Sequence, residues 1–200
     1  MMSFNGAVLS DTSIKKYINE GQLVRGGNIL PHQIQPNSVD LTLGGTYTNI
    51  YGNANRFSPL DRIIDPKKPM EYIDNTYETD IVIEPRGFIL MASNEEIVVP
   101  EGIMGIVCGR SSVARMGIQV ECAGLIDQGF SGTITLEVFN QTQYPIKLYK
   151  DMRIAQVYFL KAENANSKYS SDMGSKYNGQ AVATGSRINQ DIEFQTNKEN

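Results

Sequence analysis

Residues 109–140 read GRSSVARMGIQVECAGLIDQGFSGTITLEVFN. The segment Thr133–Phe139 alternates apolar and polar residues, and in a β-strand such alternation places successive side chains on opposite faces. The apolar set forms the predicted core face: Ile134, Leu136 and Val138. Glu137 lies on the opposite face, where it is either a solvated charge or a rigid carboxylate in a pocket wall that serves as a general base.

Two turns of this region carry groups suited to an anionic substrate. In Gly109-Arg110-Ser111-Ser112, backbone N–H groups can converge on an anion while Arg110 forks onto phosphate oxygens, although an ordinary turn has the same composition. Arg115 follows as a second cationic clamp or as a solvated side chain. Asp127 precedes a glycine-containing turn, where it either caps the turn or activates a water molecule.

Around this region, short β-rich runs separated by Gly, Pro, Asn and Asp turns predict a sandwich or barrel rather than a βαβ fold. The predicted strands are Ile81–Ile83, Phe88–Ala92, Ile97–Val99, Ile103–Cys108, Ile118–Cys122, Thr133–Phe139, Ile146–Tyr149 and Ile154–Leu160. A short helix is expected between Ser10, which offers a capping side chain, and Gly21, which supplies a stop. The polar segment Tyr47–Tyr77 predicts a long loop or an irregular insertion. Residues 162–200 lack apolar periodicity, so we expect them to be disordered or to order only against another surface.

Size and composition limit the class of protein. The 200 residues, of which 40% are hydrophobic and 20% charged, fit one soluble globular domain. A net charge of −4 argues against a nucleic-acid or membrane-surface binder, because no positive field attracts phosphate polymers. The chain has no apolar run of about 18 residues and no signal-peptide pattern, so a cytoplasmic location is expected. In such a location, Cys108 and Cys122 are expected to be reduced thiols.

Several familiar catalytic arrangements are excluded by the residue types present. His32 is the only histidine and lies beside Pro31 with no nucleophile elbow, which excludes a Ser-His-Asp triad. The zinc-deaminase signature is absent, so no zinc is predicted. Neither a P-loop nor a dinucleotide fingerprint occurs. Carboxylate-driven water chemistry on an anionic substrate is the reaction type that these residues favour.

The motifs, taken in order along nearly the whole chain, resemble the dCTP deaminase/dUTPase superfamily, and the deaminase branch most closely. The matching segments are LSDTSIKKYINEGQL (9–23), QPNSVDLTLG (35–44), PEGIMGIVCGRSSVARMG (100–117), IDQGFSGTITLEVFN (126–140), DMRIAQVYF (151–159) and SKYNGQAVATGSRI (175–188). The resemblance implies a mainly β, dUTPase-like distorted β-barrel, jelly-roll-like, with a small N-terminal helix. It also implies a single domain over residues 1–200 with a C-terminal lid at 162–200, and a homotrimer whose chains share active sites.

The resemblance also assigns roles to individual residues. Glu137 shuttles a proton from the water that attacks C4 of cytosine, while Ser111 and Arg115 position that water and stabilise the intermediate. The implied substrate-binding residues are Arg110, Ser112, Ala123, Asp127, Gln156, Lys176, Tyr177 and Gln180. Mg²⁺ is expected on the triphosphate, with a water-bridged contact to Asp40, and no metal is expected at the reacting base.

Alternatives stay open at this point. Classical dUTPases share Asp40, Arg110-Ser111, Asp127 and Gln156, so a dUTPase without deamination is the nearest rival, and a catalytically silent nucleotide-binding regulator is the second. Because Asp127 and Glu137 are both present, deamination and diphosphate release could be combined to give dUMP directly. The segment Val120–Gly124 departs from the His-x-Thr-Ala pattern of deaminases and is one residue shorter, which bears on base specificity and on regulation by dTTP.

Overall fold

A computed structural model of the protein describes residues 7–25, 29–49, 64–121, 124–170 and 174–195. The helices are α1 (Asp11–Asn19), α2 (Ser111–Ala114) and α3 (Ile192–Gln195). The strands are β1 (Leu23–Arg25), β2 (Val39–Asn49), β3 (Ile73–Thr76), β4 (Asp80–Ile83), β5 (Phe88–Val98), β6 (Ile103–Gly109), β7 (Ile118–Glu121), β8 (Leu125–Ile126), β9 (Ser131–Asn140), β10 (Ile146–Tyr149) and β11 (Arg153–Lys161). No helix among these residues is long and apolar enough to cross a membrane.

The strands form one large curled sheet and one small sheet. The nine-stranded sheet has the order β7-β9-β5-β2-β11-β6-β8, with β1 added beside β5 and β3 beside β2, and β10 and β4 form a separate pair. Register shifts interrupt the β2–β5, β5–β9 and β11–β2 pairings, and irregularities of this kind bend and twist strands. The prediction of a mainly β, distorted-barrel fold with a small N-terminal helix is confirmed.

Helix α1 begins and ends as its sequence predicts. The Ser10 hydroxyl accepts a hydrogen bond from the Ser13 N–H at 3.5 Å, and Gly21 adopts a positive φ of 73° just after the helix. Ile14 is fully buried on the face that meets the sheet. The helix therefore closes one edge of the core.

Strand β9 has the two faces predicted by its alternation. Ile134, Leu136 and Val138 are buried in the main core, while Thr133, Thr135 and Glu137 are only partly covered. The opposite face of β9 is thus left available for a cavity.

Two predictions about strand limits were wrong. Tyr47–Tyr77 is not a continuous loop, because β2 runs to Asn49 and β3 pairs with its last four residues; residues 50–63 lie outside the described part of the chain. The two strands expected at Phe88–Ala92 and Ile97–Val99 are joined in β5. The polar residues between them are held by hydrogen bonds, including those of the Asn94 amide to Leu43 and Asp151.

The C-terminal tail is ordered against β9. The Gly179 N–H donates to the Ser131 carbonyl at 2.7 Å. The Thr133 N–H donates to the Gln180 carbonyl, and the Gln180 side-chain amide donates to the Thr133 carbonyl. Further along, the Thr184 N–H donates to the Thr135 hydroxyl. For the described residues of the tail, ordering against another surface is the behaviour observed.

Candidate functional site

A cavity of about 410 Å³ lies beside β9, and both Glu137 and residues of the main core contribute to its wall. Its floor is formed by β5 and β9, one side by the turn before β9, and its cover by the C-terminal tail and the segment before β3. The lining includes Met70, Tyr72, Phe88, Leu90, Ile126, Asp127, Ile134, Glu137, Tyr169, Tyr177, Gln180 and Thr184. Most of this wall is apolar, and its acidic members are Asp127 and Glu137.

Glu137 lies in the wall of this cavity and not on an open sheet face. Its Cα is paired with that of Leu90 on β5, so that the β9 ladder fixes where the side chain emerges. Phe88 and Leu90, which lie on the same face of the sheet as Glu137, line the same cavity. A carboxylate held rigidly among apolar neighbours is suited to exchange protons with a bound water molecule.

Asp127 lies at the other end of the cavity, in the turn before β9. The Phe130 N–H donates to the Asp127 carbonyl, which closes the turn through the backbone, and the carboxylate is exposed to solvent. Gly129 has a φ of 92°, so this turn needs glycine. Asp127 also lines a second, adjoining cavity of about 380 Å³ together with Lys168 and Lys176.

The tail supplies cationic and polar groups over both cavities. Lys176 Nζ lies 2.5 Å from Asp191 Oδ1, and this hydrogen bond raises the pKa of Lys176. The Tyr177 hydroxyl accepts a hydrogen bond from the Arg187 N–H at 3.0 Å, and the Arg187 guanidinium also donates to the Lys176 carbonyl. We call residues 176–187 the C-terminal strap.

A second group of predicted residues lies around Asp40, on β2. The Asp40 side chain is 2% exposed and lies between two arginines: Arg153 Nη1 is 2.9 Å from one carboxylate oxygen, and Arg110 Nε is 3.3 Å from the other. Gln156 on β11 is the register partner of Asp40. Both oxygens of Asp40 are therefore already engaged by cations, and the predicted water-bridged magnesium contact stays a prediction.

The Ser-Ser-Arg part of the predicted site is separate from the Glu137 cavity. Ser111 and Ser112 begin the one-turn helix α2, Arg115 ends it, and all three side chains are exposed. None of them is among the residues that line the cavity. Within one chain, the predicted residues therefore form two groups. Glu137 and Asp127 lie with the strap, and Arg110 lies with Asp40 and α2.

Ala123 falls outside the described residues.

The structure adds three residues that the sequence reasoning missed. Arg153 completes the cation pair around Asp40, Tyr169 lines both cavities while its ring packs 5.8 Å from that of Phe130, and Tyr72 lines the main cavity. Arg153 lies within a segment that matched the family pattern, so a signal existed for it. Tyr169 and Tyr72 lie in polar stretches that carry no periodic signal.

Comparison with known proteins identifies the family of this chain. A family model described as dCTP deaminase-like matches residues 8–162. The chain is 40% identical over 188 residues to a protein of Sulfurihydrogenibium sp. named dCTP deaminase, dUMP-forming, covering 90% of this chain and 97% of that protein. It is 37% identical over 195 residues to the dCTP deaminase of Natronomonas pharaonis, covering 94% and 97%.

A solved structure also resembles this one. The 2′-deoxycytidine 5′-triphosphate deaminase of Agrobacterium tumefaciens superposes with a TM-score of 0.60 at 19% identity, over 78% of this chain and 48% of that chain. At this identity the likeness concerns the fold alone. Together with the match of the family model over most of the chain, these findings show that the chain belongs to the dCTP deaminase-like family.

Proposed function

We propose that this protein is a dCTP deaminase that releases dUMP as its final product. The observation that carries the proposal is the placement of Glu137 and Asp127 in one strap-covered cavity, in a chain with 40% identity to a dUMP-forming relative. A dUTPase without deamination is the less favoured alternative, because its chemistry gives no role to Glu137.

The deamination step assigns the proton transfers to Glu137. Its carboxylate removes a proton from a water molecule while the water oxygen bonds to C4 of the cytosine ring. The same carboxyl group then gives that proton to the exocyclic amine, the C4–N bond breaks, and ammonia leaves. The net reaction is dCTP and water to dUTP and ammonia. Apolar neighbours such as Leu90 limit competing solvent and favour a group that alternates between base and acid.

The triphosphate is assigned to the cationic side of the strap. Lys176 and Lys168 line the second cavity, next to Asp127, and Lys176 offers three donors once the phosphate displaces Asp191. Gln180 and Tyr177 line the main cavity, between this region and Glu137. Mg²⁺ enters as part of the Mg-nucleotide substrate, so no resident metal is required for the roles given to these residues.

Asp127 is assigned to the second step. Its exposed carboxylate lies where the two cavities meet, so it can accept a proton from a water molecule that attacks the α-phosphate of dUTP. The P–O bond to the β-phosphate breaks, which gives dUMP and pyrophosphate. The names of several relatives as dUMP-forming support this second activity.

Ser111 and Arg115 are assigned to the site of a neighbouring chain in a homotrimer. They are exposed and lie apart from the cavity of their own chain. The outward face of β6 and β11 supports assembly, because most of it is apolar and only half-buried; it consists of Met104, Ile106, Cys108, Gln156, Tyr158 and Leu160. In that arrangement, Arg115 stabilises the tetrahedral intermediate formed against the neighbour's Glu137.

The products formed from each nucleotide test the activity. Purified protein is incubated with Mg²⁺ and either dCTP or dUTP, and ammonia, pyrophosphate and nucleoside phosphates are measured. We expect ammonia, pyrophosphate and dUMP from dCTP. If dCTP gives ammonia with dUTP as the only nucleotide product, the protein deaminates dCTP but does not release pyrophosphate. If dUTP gives pyrophosphate and dCTP gives no ammonia, the deaminase assignment is wrong.

Complementation tests the shared site. Glu137→Gln and Arg115→Ala chains are each expected to be inactive, but mixed trimers formed by co-refolding contain sites with a wild-type residue from each chain. A random equimolar mixture should recover about a quarter of wild-type activity, because each site draws its two residues from two chains. No recovery, in trimers that form normally, would place both residues in the site of a single chain.

A further inference from the structure

Tyr72 lies immediately before β3 and contacts the C-terminal strap. Its ring is half-buried and lines the cavity with Met70. The ring lies directly on Gly185 of the strap: a Cβ at that position would fall inside van der Waals contact with three ring carbons. The backbone of Gly185 has an ordinary φ, so the absence of a side chain there is required by the ring and not by the turn.

The Tyr72 hydroxyl is bonded on both sides. It accepts a hydrogen bond from the Ser186 N–H at 2.6 Å and donates to Met70 Sδ at 3.3 Å. Burial raises the pKa of Tyr72, so the hydroxyl stays protonated at neutral pH. The ring also packs against a small apolar cluster made of Leu90, Ala92 and Ala183. One side chain thus contacts the floor of the cavity and the strap that covers it.

Tyr72 holds the strap at a point separate from the strap's hydrogen bonds to β9. The first part of the strap is bonded to β9 through Gln180 and Thr184. Its last part, beyond Thr184, is held by the Tyr72 ring and hydroxyl at Gly185 and Ser186. Arg187 is the next residue: its backbone N–H donates to the Tyr177 hydroxyl, and its guanidinium donates to the Lys176 carbonyl. Loss of the Tyr72 contact therefore loosens the groups that we assign to the triphosphate.

We propose that Tyr72 is a positioning residue that latches the C-terminal strap over the cavity and so holds Lys176 and Tyr177 in place for the nucleotide. Its effect on catalysis rests on the proposed function, whereas its effect on the strap does not. Tyr72 does not touch the reacting atoms, so its loss weakens substrate binding and leaves the chemical step intact.

Hydrogen exchange of the strap amides in the ligand-free protein tests the latch directly. Tyr72→Phe keeps the ring and removes one hydrogen bond, which should speed exchange around Ser186 by about fivefold. Tyr144→Phe is the matched control, since Tyr144 is an exposed tyrosine that does not line the cavity. Unfolding by urea should stay the same in both variants. Unchanged exchange in both Tyr72→Phe and Tyr72→Ala would overturn the proposal.

A double-mutant cycle isolates the contact of the ring with Gly185. Gly185→Ala should speed strap exchange strongly when Tyr72 is present, because the new methyl group collides with the ring, and only weakly in the Tyr72→Ala background. Additive effects would contradict the latch. If the protein deaminates dCTP, Tyr72→Phe should raise KM several-fold with kcat within about twofold. A protein without deaminase activity would refute the proposed function, while the exchange cycle would still decide the latch.

Discussion

Replacing Asp40 by asparagine should destabilise the protein and weaken triphosphate binding together. The Asp40 carboxylate is 2% exposed; it accepts a hydrogen bond from Arg153 and forms an ion pair with Arg110, and the two arginine side chains are 32% and 23% exposed. Asparagine has nearly the same size as aspartate but no charge. Its side chain has a single oxygen, so either that oxygen accepts from both guanidinium groups or the NH₂ group faces one of them. Two cations are then left close together without their shared anion.

The size of the effect follows from these contacts. Each hydrogen bond between charged groups contributes about 1.5–3 kcal/mol, and removing one partner of a buried ion pair costs about 3–5 kcal/mol. Because both arginines retain some access to water, we expect about 3 kcal/mol. For a domain of this size, that loss lowers the melting temperature by about 6–12 °C. Arg110 keeps its hydrogen bond to the Arg153 carbonyl but loses its ion pair with Asp40, so its predicted phosphate contact should weaken and the KM for dCTP should rise.

Thermal unfolding at one fixed protein concentration measures this loss, with Asp80→Asn as the matched control. Asp80 forms an ion pair with Lys147 at 3.1 Å, but the two side chains are 32% and 51% exposed, so water replaces the lost contact. We expect a far smaller change for Asp80→Asn. If the two variants melt at the same temperature, the Asp40 cluster does not have the role described here.

Two further substitutions test the core and the turn beside the cavity. Leu136→Ala removes a fully buried side chain from the core face of β9 and should cost about 2–5 kcal/mol in urea unfolding; a loss below about 1 kcal/mol would mean that this face is not packed as described. Gly129→Ala places a Cβ 2.9 Å from Lys168 Cβ at a φ of 92°, which should cost about 1–2 kcal/mol. Because the neighbouring Tyr169 must then shift, calorimetric titration should show weaker dCTP binding, and unchanged affinity would exclude Tyr169 from the site.

The parts of the fold that depend on local periodicity could be predicted from the sequence. The period of two in β9 assigned Leu136 to the core and Glu137 to the opposite face without knowledge of any partner strand. The start of α1 was predictable because Ser10 caps its own helix. Both features depend on residues close together in the chain.

The features that sequence reasoning missed depend on contacts between distant segments. Arg153 pairs with Asp40 across 113 positions, and Tyr72 bonds Ser186 across 114. No spacing rule connects such residues, because the sheet order decides which strands become neighbours. The continuity of β5 was missed for a related reason: its polar middle is stabilised by partners on β2 and next to β11.

Glu137 is the group to which we assign proton exchange with water, and its replacement tests the proposed deamination. Glu137→Gln preserves the size of the side chain and the β9 ladder, so dCTP should still bind with an affinity within about threefold of the wild type, measured by calorimetric titration. Ammonia release from dCTP should fall by about 10²–10⁴-fold, the range expected for loss of a general acid–base. Ammonia release at the wild-type rate by Glu137→Gln would show that Glu137 does not exchange protons with the attacking water.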